Sequence, residues 1–265
     1  MVQQQKNLLE YWKAYLYEHQ QEDNHTAACI QQLIGDQPLR ILEIGCGSAR
    51  LSAALAQAGH DVTGIDCSSA MLQFAFEKAK KYPNLHIKNA DAFLESWGGN
   101  YDAVILGDNL MCSLITEWDY KQAQKQLIHR AGNALRPGGK LILDFDCPDH
   151  LSVYDAEQNR KPCLIGTDDR GNTGRHFVFG SLINEKTRNV RFTSRTEMLP
   201  SKGNPFRATS NDIRHFPTLS EMCSWLYREG FTVEVIHGGH HGEPFDLHNR
   251  RAVILARKDE SAFIP

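Results

Sequence analysis

Apolar residues recur along this chain in two rhythms, and the change from one to the other divides it. Near the start the period is helical: Leu8, Leu9, Trp12, Tyr15 and Leu16 fall on one face, then Ala27, Ile30, Leu33 and Ile34 on another. The polar run EHQQEDNH at 18–25 predicts a break between two helices, and Asp36-Gln37-Pro38 stops the second. Over 39–146, short apolar runs (RILEIG, DVTGID, LHIKNA, YDAVILG, KLILDFD) alternate with helical stretches at 51–59, 69–81 and 118–135 and a short one near 92–97. Strand, helix, strand at these lengths requires parallel pairing with helices on both faces.

After Asp146 the rhythm becomes two. RHFVFGSLI and RNVRFTSRTEML, joined by NEKT, predict an antiparallel hairpin with Val190, Phe192, Ser194, Thr196 and Met198 on one side. FRATSNDIRHF adds a third strand. Thr218 to Glu221 reads TLSE, a capping box that opens a helix through MCSWLYREG, and FTVEVIH and RAVILARK supply two last strands. The organisation expected is an N-terminal helical cap at 1–38, a core at 39–147, an antiparallel β insertion at 148–217 (substrate cover or dimer contact) and a C-terminal helix with the last two core strands at 218–265.

Composition narrows the class. A net charge of −3 argues against a basic nucleic-acid-gripping face, so nucleic acid is not the expected partner. No apolar window reaches bilayer length, and the first twenty residues lack a signal core, so a cytoplasmic protein without a membrane partner is expected. Seven cysteines at scattered spacings fit reduced thiols.

Candidate chemistry begins at ILEIGCGSARL. A strand running into Gly45-Cys46-Gly47 and a helix start offers backbone N–H donors at the carboxyl edge of a parallel sheet. Asp66 ends the second strand about 20 residues on, where a carboxylate accepts ribose hydroxyls. Dinucleotides and S-adenosylmethionine both use this geometry. Arg50 stands where a dinucleotide fingerprint wants its third glycine, so no pyrophosphate-specific feature survives.

Over 39–146 the order and spacing resemble the class I S-adenosylmethionine-dependent methyltransferases. ILEIGCGSARLS is similar to their first motif, GIDCSSAML to the second, and LRPGGKLIL to the turn before the fifth strand. The resemblance implies a doubly wound, Rossmann-like α/β sheet with a terminal antiparallel strand, N-terminal helices and an antiparallel β insertion after strand five. It implies S-adenosylmethionine as cofactor and S-adenosylhomocysteine as product, with no metal. Glu43, Gly45 and Gly47 would meet the methionine end, Asp66 the ribose, Met71, Asp91 and Ala92 the adenine, and Gly107 and Asp108 the sulfonium, with Cys46 and Cys67 filling space beside the ligand. The family usually has Gly where Ala49 stands, and Thr is common where Ser48 stands.

For the methyl acceptor, YDAVILGDNLMCSL resembles the matching segment of glycine N-methyltransferase and of amino-sugar N-methyltransferases, which puts Asn109 at the substrate. Asp146 falls where the glycine enzyme carries a carboxylate-binding arginine, an inversion that favours a cationic or amino-sugar acceptor. Asp146 and His215 are the candidate bases, and the alternative for Asp146 is a turn cap. Tyr11, Tyr15 and Tyr17 are candidates for an aromatic lid, with His176 and Arg214 as further substrate contacts.

The expectation is therefore small-molecule N-methylation. An O-methyltransferase, a non-catalytic cofactor-binding protein and an RNA or protein methyltransferase stay open, as does a homodimer. The histidines of IHGGHHGEPFDLH, His237, His240, His241 and His248, lack zinc-site spacing, and Cys112, Cys147 and Cys163 reproduce no arsenite-methyltransferase pattern.

Overall fold

The computed structural model describes residues 2–20, 25–114, 119–154, 161–246 and 249–260. His248, and Trp118 at the start of an expected helix, lie outside them. The elements in chain order are α1 (Gln3–Gln20), α2 (His25–Ile34), β1 (Arg40–Ile44), α3 (Arg50–Gln57), β2 (Asp61–Asp66), α4 (Ser69–Ala79), β3 (Leu85–Asn89) and β4 (Tyr101–Leu106). Then follow α5 (Tyr120–Ala134), β5 (Leu135–Asp146), β6 (Leu164–Thr167), β7 (Thr173–Asn184), β8 (Asn189–Leu199), β9 (Phe206–His215), α6 (Leu219–Arg228), β10 (Phe231–His237) and β11 (Arg251–Lys258).

Two compact units divide them: Met1–Asp23 with His150–His215, and Asn24–Asp149 with Phe216–Pro265. The first helix therefore belongs with the β insertion and the second with the core. The expected 1–38 cap is split between units.

The larger unit holds a seven-stranded sheet in the order β10-β11-β5-β4-β1-β2-β3. Strands β1 to β5 run parallel, and β11 reverses against β5 and β10. This is the doubly wound α/β sheet with a terminal reversed strand. One face buries Ile41, Val62, Ile105, Ile142 and Val253 against Ile30 and Ile34 of α2 and Leu55 of α3. Chain order reverses between β1 and β4, so their carboxyl ends open the crevice where ligands bind in such sheets.

Two local expectations fail. No helix forms near 92–97. The Asp91 carboxylate accepts from Phe93 N at 2.7 Å and its carbonyl from Leu94 and Glu95 N, which winds the segment into a turn. RPGG is a bulge inside β5 rather than a turn before it: Tyr101 pairs with Leu135 and Ala103 with Lys140.

The smaller unit has one four-stranded antiparallel sheet, β6-β7-β8-β9. Strand β6 was not expected; its four residues carry too little alternation to be read. The β8 alternation holds, with Val190, Phe192, Thr196 and Met198 buried. Leu9, Trp12 and Leu16 of α1 pack on Met198 with Leu164 and Phe206. Trp12 is fully buried, and its indole donates to Gly166 O at 3.1 Å.

Candidate functional site

The glycine turn follows β1. Gly45 (φ +73°) and Gly47 (φ +55°) both take left-handed conformations that an L side chain resists. Gly45 N and Cys46 N donate to Ile65 O, which ties the turn to β2. A Cβ at position 45 would lie 3.0 Å from the Leu110 side chain, so glycine lets this turn approach the one after β4. Ala49, buried at the N-cap of α3, also sits at φ 59°, the conformation glycine would take most easily.

Asp66 closes this cradle. Its Oδ2 accepts from Gly47 N at 2.8 Å and its Oδ1 from Ser68 N at 2.7 Å. Met71 reaches back over the turn, its Cε 3.1 Å from where a Gly47 Cβ would stand. Cys46 is buried, and burial raises its thiol, so it is a filler rather than a nucleophile. Cys67 is exposed, with its thiol also raised. Glu43, pointing off β1 toward α3, accepts a short hydrogen bond from Ser52 Oγ. Burial, chiefly, raises its carboxyl; the bonds from Ser52 pull it down and the charges of Asp108 and Asp66 push it up, and together they bring it to about 7. Asp91 is exposed in the turn after β3, and the Ala92 carbonyl accepts from Trp97 Nε1.

The carboxyl ends of β4 and β5 join. Asn109 Nδ2 donates to Asp146 Oδ2 at 2.8 Å, while Asp146 N donates to Asn109 Oδ1 at 2.8 Å. Two candidates read from separate motifs thus hold each other. Asp108 (φ 45°) and Asn109 (φ 64°) are consecutive left-handed residues without a glycine, and Gly107 O accepts from Leu110 N to close the turn. Arg251 Nη1 stands 3.5 Å from Asp146 Oδ1, a neighbour the sequence did not reveal.

Beneath them lies Asp144, fully buried, which sequence reasoning missed. It accepts Arg251 Nε at 2.5 Å and Nη2 at 2.8 Å, with His240 Nε2 at 3.2 Å. Burial alone would raise its carboxyl; the bonds from His240 and Arg251 outweigh that and hold it below the usual range. The signal was an aspartate inside the apolar run KLILDFD, which needs a buried cation, and Arg251 heads the apolar run RAVILARK.

The other predicted contacts belong to the smaller unit. Tyr11 is buried, its hydroxyl donating to both Asp169 oxygens at 2.9 and 3.0 Å under the Arg170 guanidinium. Tyr15 stacks on His19 and Tyr17 is half-buried on the same helix. His176 pairs with its cross-strand partner Thr196 at 2.7 Å, and burial together with Lys13 lowers it to about 4, so its ring is neutral near pH 7. Arg214 donates to Asp212 and lies over Phe192. His215 is buried at the end of β9. The partners of Tyr11, His176 and Arg214 lie within the same unit.

Among the described residues no group of histidine, cysteine, aspartate or glutamate is placed to hold a metal, and no helix is long and apolar enough to cross a membrane. Two left-handed glycines, a carboxylate at the end of β2 and a methionine over the turn fit an adenosyl cofactor carrying an amino-acid tail.

Comparison with known proteins agrees. Residues 41–139 match the family model described as "Methyltransferase domain". A glycine/sarcosine N-methyltransferase of Halorhodospira halochloris is 34% identical over 120 residues, 43% of this chain and 42% of that protein. A ubiquinone biosynthesis O-methyltransferase of Hydrogenovibrio crunogenus (strain DSM 25203 / XCL-2) is 31% identical over 137 residues, 49% of this chain and 53% of that protein. The chain thus spans about half, or less, of the length of these curated relatives. The structure of CalS10 with bound S-adenosylmethionine, an amino pentose methyltransferase from Micromonospora echinaspora, superposes with a TM-score of 0.64 at 19% identity. That match covers 91% of this chain and 94% of CalS10. Residues 41–139 thus match a methyltransferase-domain model, and the chain shares the Rossmann-like fold of the S-adenosylmethionine-bound CalS10 structure.

Proposed function

We propose that this chain is an S-adenosylmethionine-dependent methyltransferase that methylates the nitrogen of a small, amine-bearing metabolite. The observation that carries the acceptor class is the charge at the ends of β4 and β5. Three carboxylates, Asp108, Asp144 and Asp146, gather around one guanidinium, Arg251. That excess of negative charge favours a cation and disfavours a carboxylate substrate.

Gly45 and Gly47 would take the amino-acid end of the cofactor, Asp66 the ribose, and Met71, Asp91 and Ala92 the adenine side. Gly107 and Asp108 would stand beside the sulfonium. When bound, S-adenosylmethionine supplies an electrophilic methyl group, so the protein's work is alignment and exclusion of water. Asn109 and Asp146, already joined, would hold the acceptor's polar hydrogens and turn its lone pair inward. An ammonium must lose a proton before it attacks, and in this reading Asp146 would receive it. Tyr11, Tyr15, Tyr17, His176, Arg214 and His215 carry no part of this reading. A hydroxyl acceptor is the second reading, favoured by the O-methyltransferase relative.

The test is S-adenosylhomocysteine release against amines and amino-sugars, free amino acids, and phenols. Turnover confined to the amines is expected. Asp146→Asn should lower kcat/KM for them by about 10- to 100-fold, the value of a charge-assisted hydrogen bond, with cofactor affinity retained. Preference for carboxylates or phenols would contradict the N-methylation reading. Cofactor binding without product from any acceptor would contradict the enzyme itself.

A further inference from the structure

The loop HGGHHG has no role in the reading above and the first residue of β11 enters it only as a charge, yet both reach the same buried group. Arg251 stands opposite Asp146 in the antiparallel register of β5 and β11, but its guanidinium runs along β5 and grips Asp144 with two nitrogens. His240 adds a third donor, its other ring nitrogen 3.2 Å from Thr26 Oγ1 on α2. Asp144 and Asp146, two apart on a strand, share a face. What Asp144 offers beyond its cations goes to the turn after β4: its Oδ2 accepts from Asp108 N at 3.3 Å and its carbonyl from Asn109 N at 3.0 Å. Those are the two residues held left-handed without a glycine.

An apolar side chain at position 144 would fill a fully buried strand site at lower cost than an ion pair. It would still take Asn109 N on its backbone carbonyl, but it could not accept the Asp108 N–H that the Asp144 carboxylate takes from the strained turn. Strain of this kind persists where the surroundings over-determine it, and here a carboxylate locked by arginine and histidine does so.

We propose that Asp144, Arg251 and His240 form a positioning unit. They fix the Asp108–Asn109 turn so that the Asn109 carboxamide meets Asp146 in the geometry the acceptor requires. None of the three touches the acceptor in this role. The inference rests on the proposal that Asn109 and Asp146 face the acceptor.

The test uses the full chain and four variants, Arg251→Lys, His240→Gln, Asn109→Ala and Asp146→Asn. Two readouts need no acceptor: thermal melting, and the side-chain amide resonances of Asn109 in a ¹⁵N-labelled protein, assigned by their loss in Asn109→Ala. Arg251→Lys keeps the charge but loses the two-pronged grip. It should shift and broaden the Asn109 amide pair while S-adenosylhomocysteine affinity stays within about threefold. With an acceptor from the amine panel, kcat should fall by about 10- to 100-fold with KM little changed, the loss expected for a misplaced reacting group. His240→Gln, which can still donate to Asp144, should lose less than Arg251→Lys on both readouts.

A lower melting temperature with the Asn109 resonances and kcat of the folded protein unchanged would overturn the positioning role and leave a stabilising ion pair. If Asn109→Ala and Asp146→Asn both turn over normally, the acceptor reading itself has failed. If they are crippled while Arg251→Lys is not, only the positioning role has failed.

Discussion

Glu43 shows how one residue links the site to pH. Buried on β1 with Ser52 as partner, it keeps its proton in the folded protein up to about 7, whereas an ordinary glutamate loses it near 4.5. Between those values the folded state binds more protons than the unfolded one, so this residue's contribution to stability falls as pH rises. Glu43→Gln removes the dependence. The variant should gain on the wild type from pH 5 to pH 8, by up to roughly 3 kcal/mol, in urea unfolding of the cofactor-free protein. A difference that stays flat with pH would show that Glu43 ionises normally. Residue identities at the glycine turn were readable because few side chains tolerate φ near +60° and a near approach. Asp144 announced only that a buried cation was needed, not which one, because its partner is a guanidinium 107 residues further along the chain.

At the scale of elements, local signals carried as far as local bonds do. The TLSE box is present in full: Thr218 Oγ1 accepts from Glu221 N at 3.1 Å, and the Glu221 carboxylate accepts from Thr218 N at 3.0 Å. Thr218→Ala should cost about 1 kcal/mol and Thr218→Ser much less. Thermal melting should therefore fall by about 2–4 °C for the alanine variant. An unchanged melting temperature would mean that Lys121, paired with Glu221 at 2.6 Å, already fixes that helix start. The parallel strands were legible from their apolar runs and β8 from its alternation. The short helix near 92–97 was misread because Asp91 spends its carboxylate and carbonyl on a turn. The RPGG bulge and β6 depend on partner strands, which periodicity does not report.

Across the whole molecule, each compact unit is built from chain segments far apart in sequence. The apolar stripe of α1 announced a buried face but not its partner, and Trp12 bonds to Gly166, 154 residues away. For that reason α1 was grouped with α2, although only α2 packs in the core. The cofactor site needed no such long-range information. The proposed site lies at the switch between β1 and β4, where topology alone opens a crevice, and the glycines and Asp66 assigned to it fall within one continuous stretch. The proposed acceptor residues Asn109 and Asp146 end β4 and β5, whereas the groups around them come from β11 and the histidine loop, so only half of this cluster was visible in advance. The measurement that tests the central claim most directly is isothermal titration of S-adenosylhomocysteine into the wild type and Asp66→Ala. The expected result is saturable one-to-one binding, weakened at least about 10-fold by loss of the ribose carboxylate while the variant melts cooperatively. No binding to the folded wild type, or equal affinity in the two proteins, would contradict the assignment of the glycine turn and Asp66 to the cofactor.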